Sequence, residues 1–189
     1  MGAPATRLAI LPYPKELESI EMLGDGTSIR LRPVRPEDAP ILEELLMHMT
    51  PLDARLLLFA PRQDLPPMAG GRLSQIDYDR QMTLIAQLPD AAQVLGIARF
   101  SADPDNRLAR VAVALRSDVS GQKIGPLLIT RLLEIARGRG IAIVFGDIAC
   151  ADADTLAWCR SLGFTASAHP DDPDLISVRK ELGIAARPG

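Results

Sequence analysis

Two glycines four residues apart, Gly121 and Gly125, lie in the segment SDVSGQKIGPLL, just before an apolar run with helical spacing. Glycines at the start of a helix let backbone N–H groups approach a phosphate, and the helix dipole favours negative charge there. Lys123 stands between the two glycines and Pro126 follows the second. The segment is therefore a candidate phosphate-binding turn that departs at two positions from a plain glycine loop.

The residues on either side predict a strand, this turn, a helix and a second strand. The run RLARVAVALRS alternates and predicts a strand with Arg110 on one face and three apolar side chains on the other: Val111, Val113 and Leu115. An apolar stripe then predicts the longest helix, ended by Gly138 or Gly140. The continuous apolar run IAIVFGDIA predicts a central buried strand.

The first third of the chain is broken into shorter pieces by proline. Residues 8–14, LAILPYP, predict an extended lead-in, and alternating runs around GDG predict a hairpin. RPEDAPILEELLMHM predicts a helix with Pro36 in its first turn, and Pro51 opens a second helix to about Phe59. The prolines and glycines between Pro61 and Gly71 predict an irregular stretch.

After residue 80 the pattern is dominated by strands. Turns are predicted at Pro89-Asp90 and in ADPDN, and DADTLAWCRSLGF predicts a short helix capped by Asp152 or Asp154 and ended by Gly163. A final hairpin crosses HPDDPD. The whole order is that of a mixed α/β domain.

Composition narrows the class of function. Apolar residues make up 47% of the 189, and the net charge of −3 argues against a nucleic-acid partner. No apolar run or leader pattern indicates a membrane or export. Cys150 and Cys159 lack metal-ligand spacing and His48 and His169 lie far apart, so we expect no metal and reduced thiols in the cytoplasm.

The residues on both sides of the glycine segment resemble the GNAT superfamily of N-acetyltransferases. The resemblance lies in VAVALRSDVSGQKIGPLLITRLLEIARGRGI and GDIACADADTLAWCRSLGF. LAILPYPKELES, DGTSIRLRPVRPEDAP, SQIDYDRQM and GIARFSADPDN are further similar to the acetyltransferase domain of bacterial protein-lysine acetyltransferases that modify acyl-CoA synthetases. The resemblance covers residues 8–182.

This resemblance implies one GNAT domain over residues 1–189, with residues 1–14 as the lead-in. The implied fold is α/β (α+β), a central twisted mixed sheet with flanking helices and a splayed strand pair at the CoA site. The implied co-substrate is acetyl-CoA, with pantetheine along the strand and pyrophosphate in the loop. The residues placed there are Val113, Ala114, Leu115, Ser120, Gly121, Gln122, Lys123, Ile124, Gly125, Pro126 and Asp152.

Two positions of the loop each allow two interpretations. Lys123 replaces a family glycine, and its side chain either points to solvent or supplies the charge lost where Ser120 replaces Gln or Arg. Pro126 removes one amide donor, yet it falls at the expected first helical residue, where proline is favoured. We expect a modified but competent phosphate site.

The catalytic positions depart further from the family. Lysine-acetylating relatives carry Ala-Glu-Phe-Ala on the strand before the loop, with the glutamate as general base; this chain has Arg110 there, and a guanidinium cannot accept a proton. The usual acid, a tyrosine, is replaced by Cys159, which is either a weak donor or a core residue. Asp152 is either the family asparagine's counterpart or a helix cap. Asp77 and Asp79 are either substitute bases or turn caps.

Two functions follow from these observations. The first is an acetyl-CoA-dependent N-acetyltransferase that modifies a protein lysine, with an acyl-CoA synthetase as a possible protein partner. The second is a regulatory domain that binds CoA or acyl-CoA and has little catalytic activity. Arg110 is the residue that separates them.

Overall fold

The computed structural model describes residues 12–60, 69–75, 77–119 and 123–183. Within those ranges the strands are β1 (Ser19–Met22), β2 (Ser28–Pro33), β3 (Gln81–Gln87), β4 (Val94–Ala102), β5 (Leu108–Leu115), β6 (Ile143–Ala149), β7 (Thr165–Ala168) and β8 (Leu175–Glu181). The α-helices are α1 (Ala39–Met47), α2 (Pro51–Leu57), α3 (Ala69–Ser74), α4 (Ile124–Gly138) and α5 (Ala153–Ser161). None of the helices in these ranges has the length and apolar character needed to cross a bilayer.

All eight strands form one sheet in the order β1-β2-β3-β4-β5-β6-β8-β7. Neighbours pair antiparallel except β5 and β6, which are parallel. Parallel neighbours require a crossover connection, and α4 is that connection. The predicted mixed sheet and its strand–helix–strand unit are confirmed.

Each face of the sheet covers its own core. Ala98 and Phe100 of β4 pack in the core beneath α4, whereas Ile97 packs in the core beneath α1, α2 and α3. On β5, Val111 belongs to the first core and Ala112 to the second, as the predicted alternation requires. Strand β4 is therefore buried on both faces from Val94 to Phe100.

Helix α3 begins inside the stretch expected to be irregular, so that prediction is wrong for residues 69–71, whereas residues 61–68 of the stretch lie outside the described residues. Gly70 and Gly71 lower the helix propensity of this segment. Packing against α1 overrides that preference: the Gly70 N–H donates to Glu43 Oε2 at 2.7 Å, and a Cβ on Gly70 would lie 2.7 Å from the Ala39 carbonyl oxygen. The glycine permits a close helix contact that a side chain would prevent.

Strand β6 is central in the sheet but is buried on one face only. Val144 and Ile148 are buried beneath α4. On the opposite face Phe145 is 41% exposed. The expectation that the apolar run IAIVFGDIA is buried on both faces is therefore wrong.

The helix ends follow local rules with one exception. Gly140 has a φ of +83° just after the last turn of α4, and Gly163 has the same φ just after α5. Asp152 caps α5 by accepting the Thr155 N–H at 3.0 Å. Pro126 is the third residue of α4, after Lys123 at the cap, and not the first as expected. Its missing N–H still falls among the unpaired donors of the first turn.

The lead-in is tied to the first hairpin by Glu18. Residues 1–11 of this lead-in lie outside the described ranges. The Glu18 carboxylate accepts bonds from the Tyr13 hydroxyl at 2.8 Å, from Arg30 at 2.9 Å and from Arg35 at 2.7 Å. These donors, Arg30 first, lower the Glu18 pKa to about 2.

Candidate active site

The two parallel strands separate soon after they pair. Residues Leu108–Arg110 of β5 pair with Ile143–Phe145 of β6, and no pairing between them is present beyond Arg110 in the described residues. The backbone N–H and C=O groups of successive β5 residues point alternately toward β4 and toward β6. The Arg116 N–H donates to the Leu95 carbonyl on β4, so every second residue from Arg116 faces β4. The backbone groups of Val113 and Leu115 therefore face the gap between β5 and β6.

Gly146 lies where the strands part. A Cβ built on this residue would overlap the carbonyl oxygen of Val111 on β5. Glycine thus lets the two backbones touch at this point, immediately before the gap opens. The geometry of the separation depends on this residue.

A cleft of about 550 Å³ opens from the gap toward the start of α4. It is lined by residues of α2, β5, α4 and α5: Asp53, Val113, Ala114, Leu115, Val119, Lys123, Pro126, Asp152, Asp154, Thr155, Ala157 and Trp158. Six residues predicted to bind acetyl-CoA are therefore on one surface: Val113, Ala114, Leu115, Lys123, Pro126 and Asp152.

The remaining predicted loop residues are only partly described. Ile124 and Gly125 begin α4 and are buried, and a Cβ on Gly125 would meet the Trp158 ring at 3.4 Å. Ser120, Gly121 and Gln122 lie outside the described residues. The structure therefore brings together the strand side and the helix side of the predicted site.

The charges of the cleft are unevenly divided. Three carboxylates line it, from Asp53, Asp152 and Asp154, and Lys123 is the one basic side chain among its described lining residues. Lys123 is exposed at the N-terminus of α4. A phosphate bound at this end of the cleft would depend on the Lys123 charge, because the three nearby carboxylates repel an anion.

Arg110 is ion-paired across the two separating strands. Its Nη2 donates to Asp147 Oδ2 at 3.0 Å, and Ser177 donates its hydroxyl to Asp147 Oδ1 at 2.9 Å. The His169 Nε2 lies 3.8 Å from the same Oδ1. The Arg110 guanidinium also lies over the ring of Phe59, 5.0 Å from its centroid. The position where relatives carry a base thus holds a cation that is paired with an aspartate.

Cys159 lies in the core beside this site. Its side chain is buried, and burial, assisted by the charge of Asp152, raises the pKa of the thiol to about 12. An ordinary thiol has a pKa of about 8.5. Cys159 therefore stays protonated and is a poor proton donor to a leaving thiolate.

Asp77 and Asp79 lie in the turn that leads into β3. The Asp77 carboxylate accepts the Asp79 N–H at 3.1 Å, and both side chains are exposed. Burial lowers the pKa of Arg139, at the end of α4, and the charges of Asp79 and Asp77 partly offset that lowering. Neither residue is among those that line the cleft.

Several residues of this region were not indicated by the sequence. Asp53, Phe59, Trp158 and His169 come from three separate segments, and the packing of those segments on the sheet brings them to this region. The unusual backbone of Phe59, with a φ of +53°, has no local sequence signal. Among the described residues, no group of three His, Cys, Asp or Glu side chains is arranged to hold a metal ion.

The sequence and the fold were compared with known proteins. A family model described as "Acetyltransferase (GNAT) family" matches residues 52–164, more than half of the chain. An acetyltransferase of Pseudomonas aeruginosa is 24% identical over 165 residues, 86% of this chain and 89% of that protein.

Two solved structures show the same fold at low sequence identity. The GNAT domain of S. lividans PAT has a TM-score of 0.76 at 20% identity, over 90% of this chain and 99% of that chain. A second is yncA, a putative acetyltransferase from Salmonella typhimurium solved with acetyl-CoA. It has a TM-score of 0.60 at 20% identity, over 85% and 98% of the two chains. The predicted GNAT fold, with its sheet and flanking helices, is confirmed.

Proposed function

The chain belongs to the GNAT acetyltransferase family, and on that premise we propose that it binds acetyl-CoA between β5 and β6 and transfers the acetyl group to a protein lysine. We further propose that residues 1–189 form one such domain, with residues 1–14 as its lead-in, and that it acts in the cytoplasm. Both cysteines are unpaired, which suits a reducing compartment.

The observation that carries this proposal is the separation of the parallel strands above the start of α4. Beyond Arg110 the edge of β5 that faces β6 has no strand partner in the described residues. Val113 and Leu115 are thereby left to bond an extended, amide-bearing ligand in place of a strand. The cleft then ends at a helix N-terminus, where phosphate is favoured.

Each part of the site has a task in such a transfer. Acetyl-CoA would supply a thioester carbon for attack by an amine. Val113 and Leu115 would hold the pantetheine, and the turn from Ser120 to Pro126 would hold the pyrophosphate, with Lys123 adding a point charge. Gly146 sets the width of the gap through which the amine must reach.

Support for a protein acceptor comes from the resemblance stated above and from the fold of the S. lividans PAT domain. An acyl-CoA synthetase is the acceptor that this resemblance suggests. The open face of β6, β8 and β7, where Phe145 and Arg179 are exposed, offers room beside Asp147 for a protein segment.

A second function is favoured by the catalytic positions themselves. Arg110 cannot act as a base, and the buried thiol of Cys159 is a poor acid. A chain that keeps the cleft but lacks both groups would bind CoA or acyl-CoA as a regulatory domain and turn over slowly. Loss of a positioned base typically lowers the rate by about 10²–10⁴.

Calorimetric titration with acetyl-CoA tests binding, and CoA release with and without an acyl-CoA synthetase tests transfer. Binding together with synthetase-dependent CoA release supports the transferase. Binding without release supports the regulatory domain. The absence of any heat or thermal shift at millimolar acetyl-CoA contradicts both functions.

A further inference from the structure

Arg99 of β4 is a buried cation that has no carboxylate partner among the described residues. It is 8% exposed, on the sheet face covered by α2 and α3. Its Nη1 donates to the Leu57 carbonyl at 3.3 Å, and its Nε has no hydrogen-bond partner. In the described part of the chain it forms no ion pair. Buried charges in proteins are normally paired, so this side chain requires an explanation.

Two further arginines lie close to Arg99. Arg72 of α3 faces the same small cavity, and its charge adds to burial, the larger cause, in lowering the Arg99 pKa to about 10. The guanidinium carbons of Arg99 and Arg110 lie 4.7 Å and 5.0 Å from the centroid of the Phe59 ring. Only Arg110 of these three has a carboxylate partner in the described residues. The region is therefore electropositive.

Phe59 holds this arrangement in a backbone conformation that a bulky residue rarely adopts. Its φ of +53° directly follows the end of α2. This conformation ends α2 as a C-terminal cap, in which the Phe59 N–H donates to the Leu56 carbonyl and the Ala60 N–H to the Arg55 carbonyl, both at 3.1 Å. Phe59 places one aromatic ring against two cations, which stabilises both without using the N–H donors of Arg99.

The cavity beside Arg99 has the size and lining of an anion site. It encloses about 200 Å³ and is lined by Leu58, Arg72, Gln75, Gln81 and Arg99, which we call the Arg99 pocket. Guanidinium and amide groups donate hydrogen bonds, and none of the described residues that line this pocket carries a carboxylate. We propose that the Arg99 pocket binds one carboxylate or phosphate group, with Arg99 as its principal ligand.

The position of the pocket connects it to acetyl transfer, and this step rests on the proposed function. The ring of Phe59 contacts both Arg99 and Arg110, and Arg110 lies at the separating strands. On this proposal an acceptor whose amine enters the gap would place its own anionic group at Arg99. The preferred acceptor has a carboxylate or phosphate near its amine.

Anion binding is tested on the whole chain by thermal unfolding. Phosphate is added in place of chloride at constant ionic strength. We expect Tm to rise by a few degrees once phosphate exceeds its dissociation constant about tenfold. Arg99→Gln weakens binding by about tenfold or more. Arg72→Gln, an exposed change that leaves the core intact, weakens it less.

Two controls separate this pocket from other phosphate sites. Lys123→Ala removes the cation at the start of α4, so it abolishes only the part of the rise in Tm that comes from phosphate at that helix and leaves the Arg99-dependent part. Arg107→Gln, at an exposed arginine outside the pocket, leaves the whole rise intact. An unchanged Tm in the wild-type protein, or an equal rise in Arg99→Gln, overturns the proposal. None of these measurements requires acetyl-CoA, so their outcome is independent of the proposed transfer.

The source of the anion is found with two acceptor peptides, in which glutamate or glutamine follows the target lysine. If the acceptor supplies the anion, phosphate raises KM for the glutamate peptide alone, and Arg99→Gln removes the difference between the peptides. If a free anion is the ligand, phosphate affects both peptides equally. Both results require that Arg99 binds the anion. If the preference for the glutamate peptide survives Arg99→Gln, a residue other than Arg99 binds the anion.

Discussion

Arg110 Nη2 lies 3.0 Å from Asp147 Oδ2, and this bond joins β5 to β6 where their pairing ends. Arg110 is therefore not a bare cation that faces an incoming lysine ammonium. Its charge is matched by Asp147, which is held from the other side by Ser177. The pair offsets the repulsion that an unpaired guanidinium would exert on a lysine ammonium, whereas the absence of a base at this position remains.

The pair leads to a prediction about turnover. We expect the wild-type chain to acetylate lysine peptides slowly, because Arg110 cannot accept a proton. Arg110→Glu alone would put two carboxylates side by side, so it is combined with Asp147→Asn. The double variant should raise CoA release by about 100-fold, the low end of the 10²–10⁴ that a positioned base contributes.

The control for this experiment is Asp147→Asn alone, which lacks the introduced glutamate and should not gain activity. Calorimetry must show that both variants bind acetyl-CoA as the wild type does. Brisk turnover by the wild type would refute the prediction and indicate another base.

Lys123 should contribute to acetyl-CoA affinity through charge alone. Lys123→Ala is expected to weaken binding about two- to fivefold at low salt, because an exposed charge at a helix N-terminus contributes about 0.3–1 kcal/mol. The effect should shrink as salt screens the contact. Calorimetric titrations at two salt concentrations measure it, with the exposed Lys15→Ala as the matched control. A salt-independent loss would argue against a phosphate contact.

Gly146→Ala should disturb the separation of the strands. The added methyl group would overlap the Val111 carbonyl, and overpacking of this kind costs about 1–3 kcal/mol of folding free energy. Urea unfolding should show the loss, and acetyl-CoA binding should weaken with it. Gly138→Ala, where a Cβ meets nothing within 4 Å, should leave stability unchanged or slightly raised. Equal stabilities for the two variants would count against the role assigned to Gly146.

Glu18 should stabilise the fold above acidic pH. Its pKa is lowered from an ordinary 4.5 to about 2, so the folded state favours the charged form. The stabilisation is therefore complete above about pH 5 and is lost as the pH falls toward 2. The Glu18 side chain and its two arginine partners are partly exposed, so solvent screening reduces this stabilisation to about 1–2 kcal/mol. Glu18→Gln should lower the free energy of unfolding at pH 7 by that amount and flatten its decline between pH 5 and 2, as measured by urea unfolding.

Local patterns were sufficient to predict most of the fold. The hairpin around Gly24 to Gly26, the helix α4 and the parallel strands on either side of it follow from turn residues and apolar spacing. Helix α3 could not be predicted in this way, since Gly70 is helical only because it packs against α1. The exposure of Phe145 depends on how the rest of the chain packs on the sheet, and the sequence of its own strand does not determine that packing.

The candidate site could be predicted only in part for the same reason. Val113, Leu115 and Lys123 lie within one contiguous strand–turn–helix segment, so the sequence indicates them together. Arg110 and Asp147 are 37 residues apart, and their ion pair depends on the register of β5 against β6. Arg99 and Phe59 likewise meet only through the packing of α2 on the sheet.

The separation of β5 from β6 also determines which amide protons of β5 exchange with solvent. The N–H groups of Ala112 and Ala114 are held in the ladder with β4, whereas those of Val113 and Leu115 face the gap. Deuterium uptake should therefore alternate between slow and fast along one continuous strand. A ligand that bridges the gap would slow the fast positions and leave the slow ones unchanged, so the strand would report occupancy residue by residue.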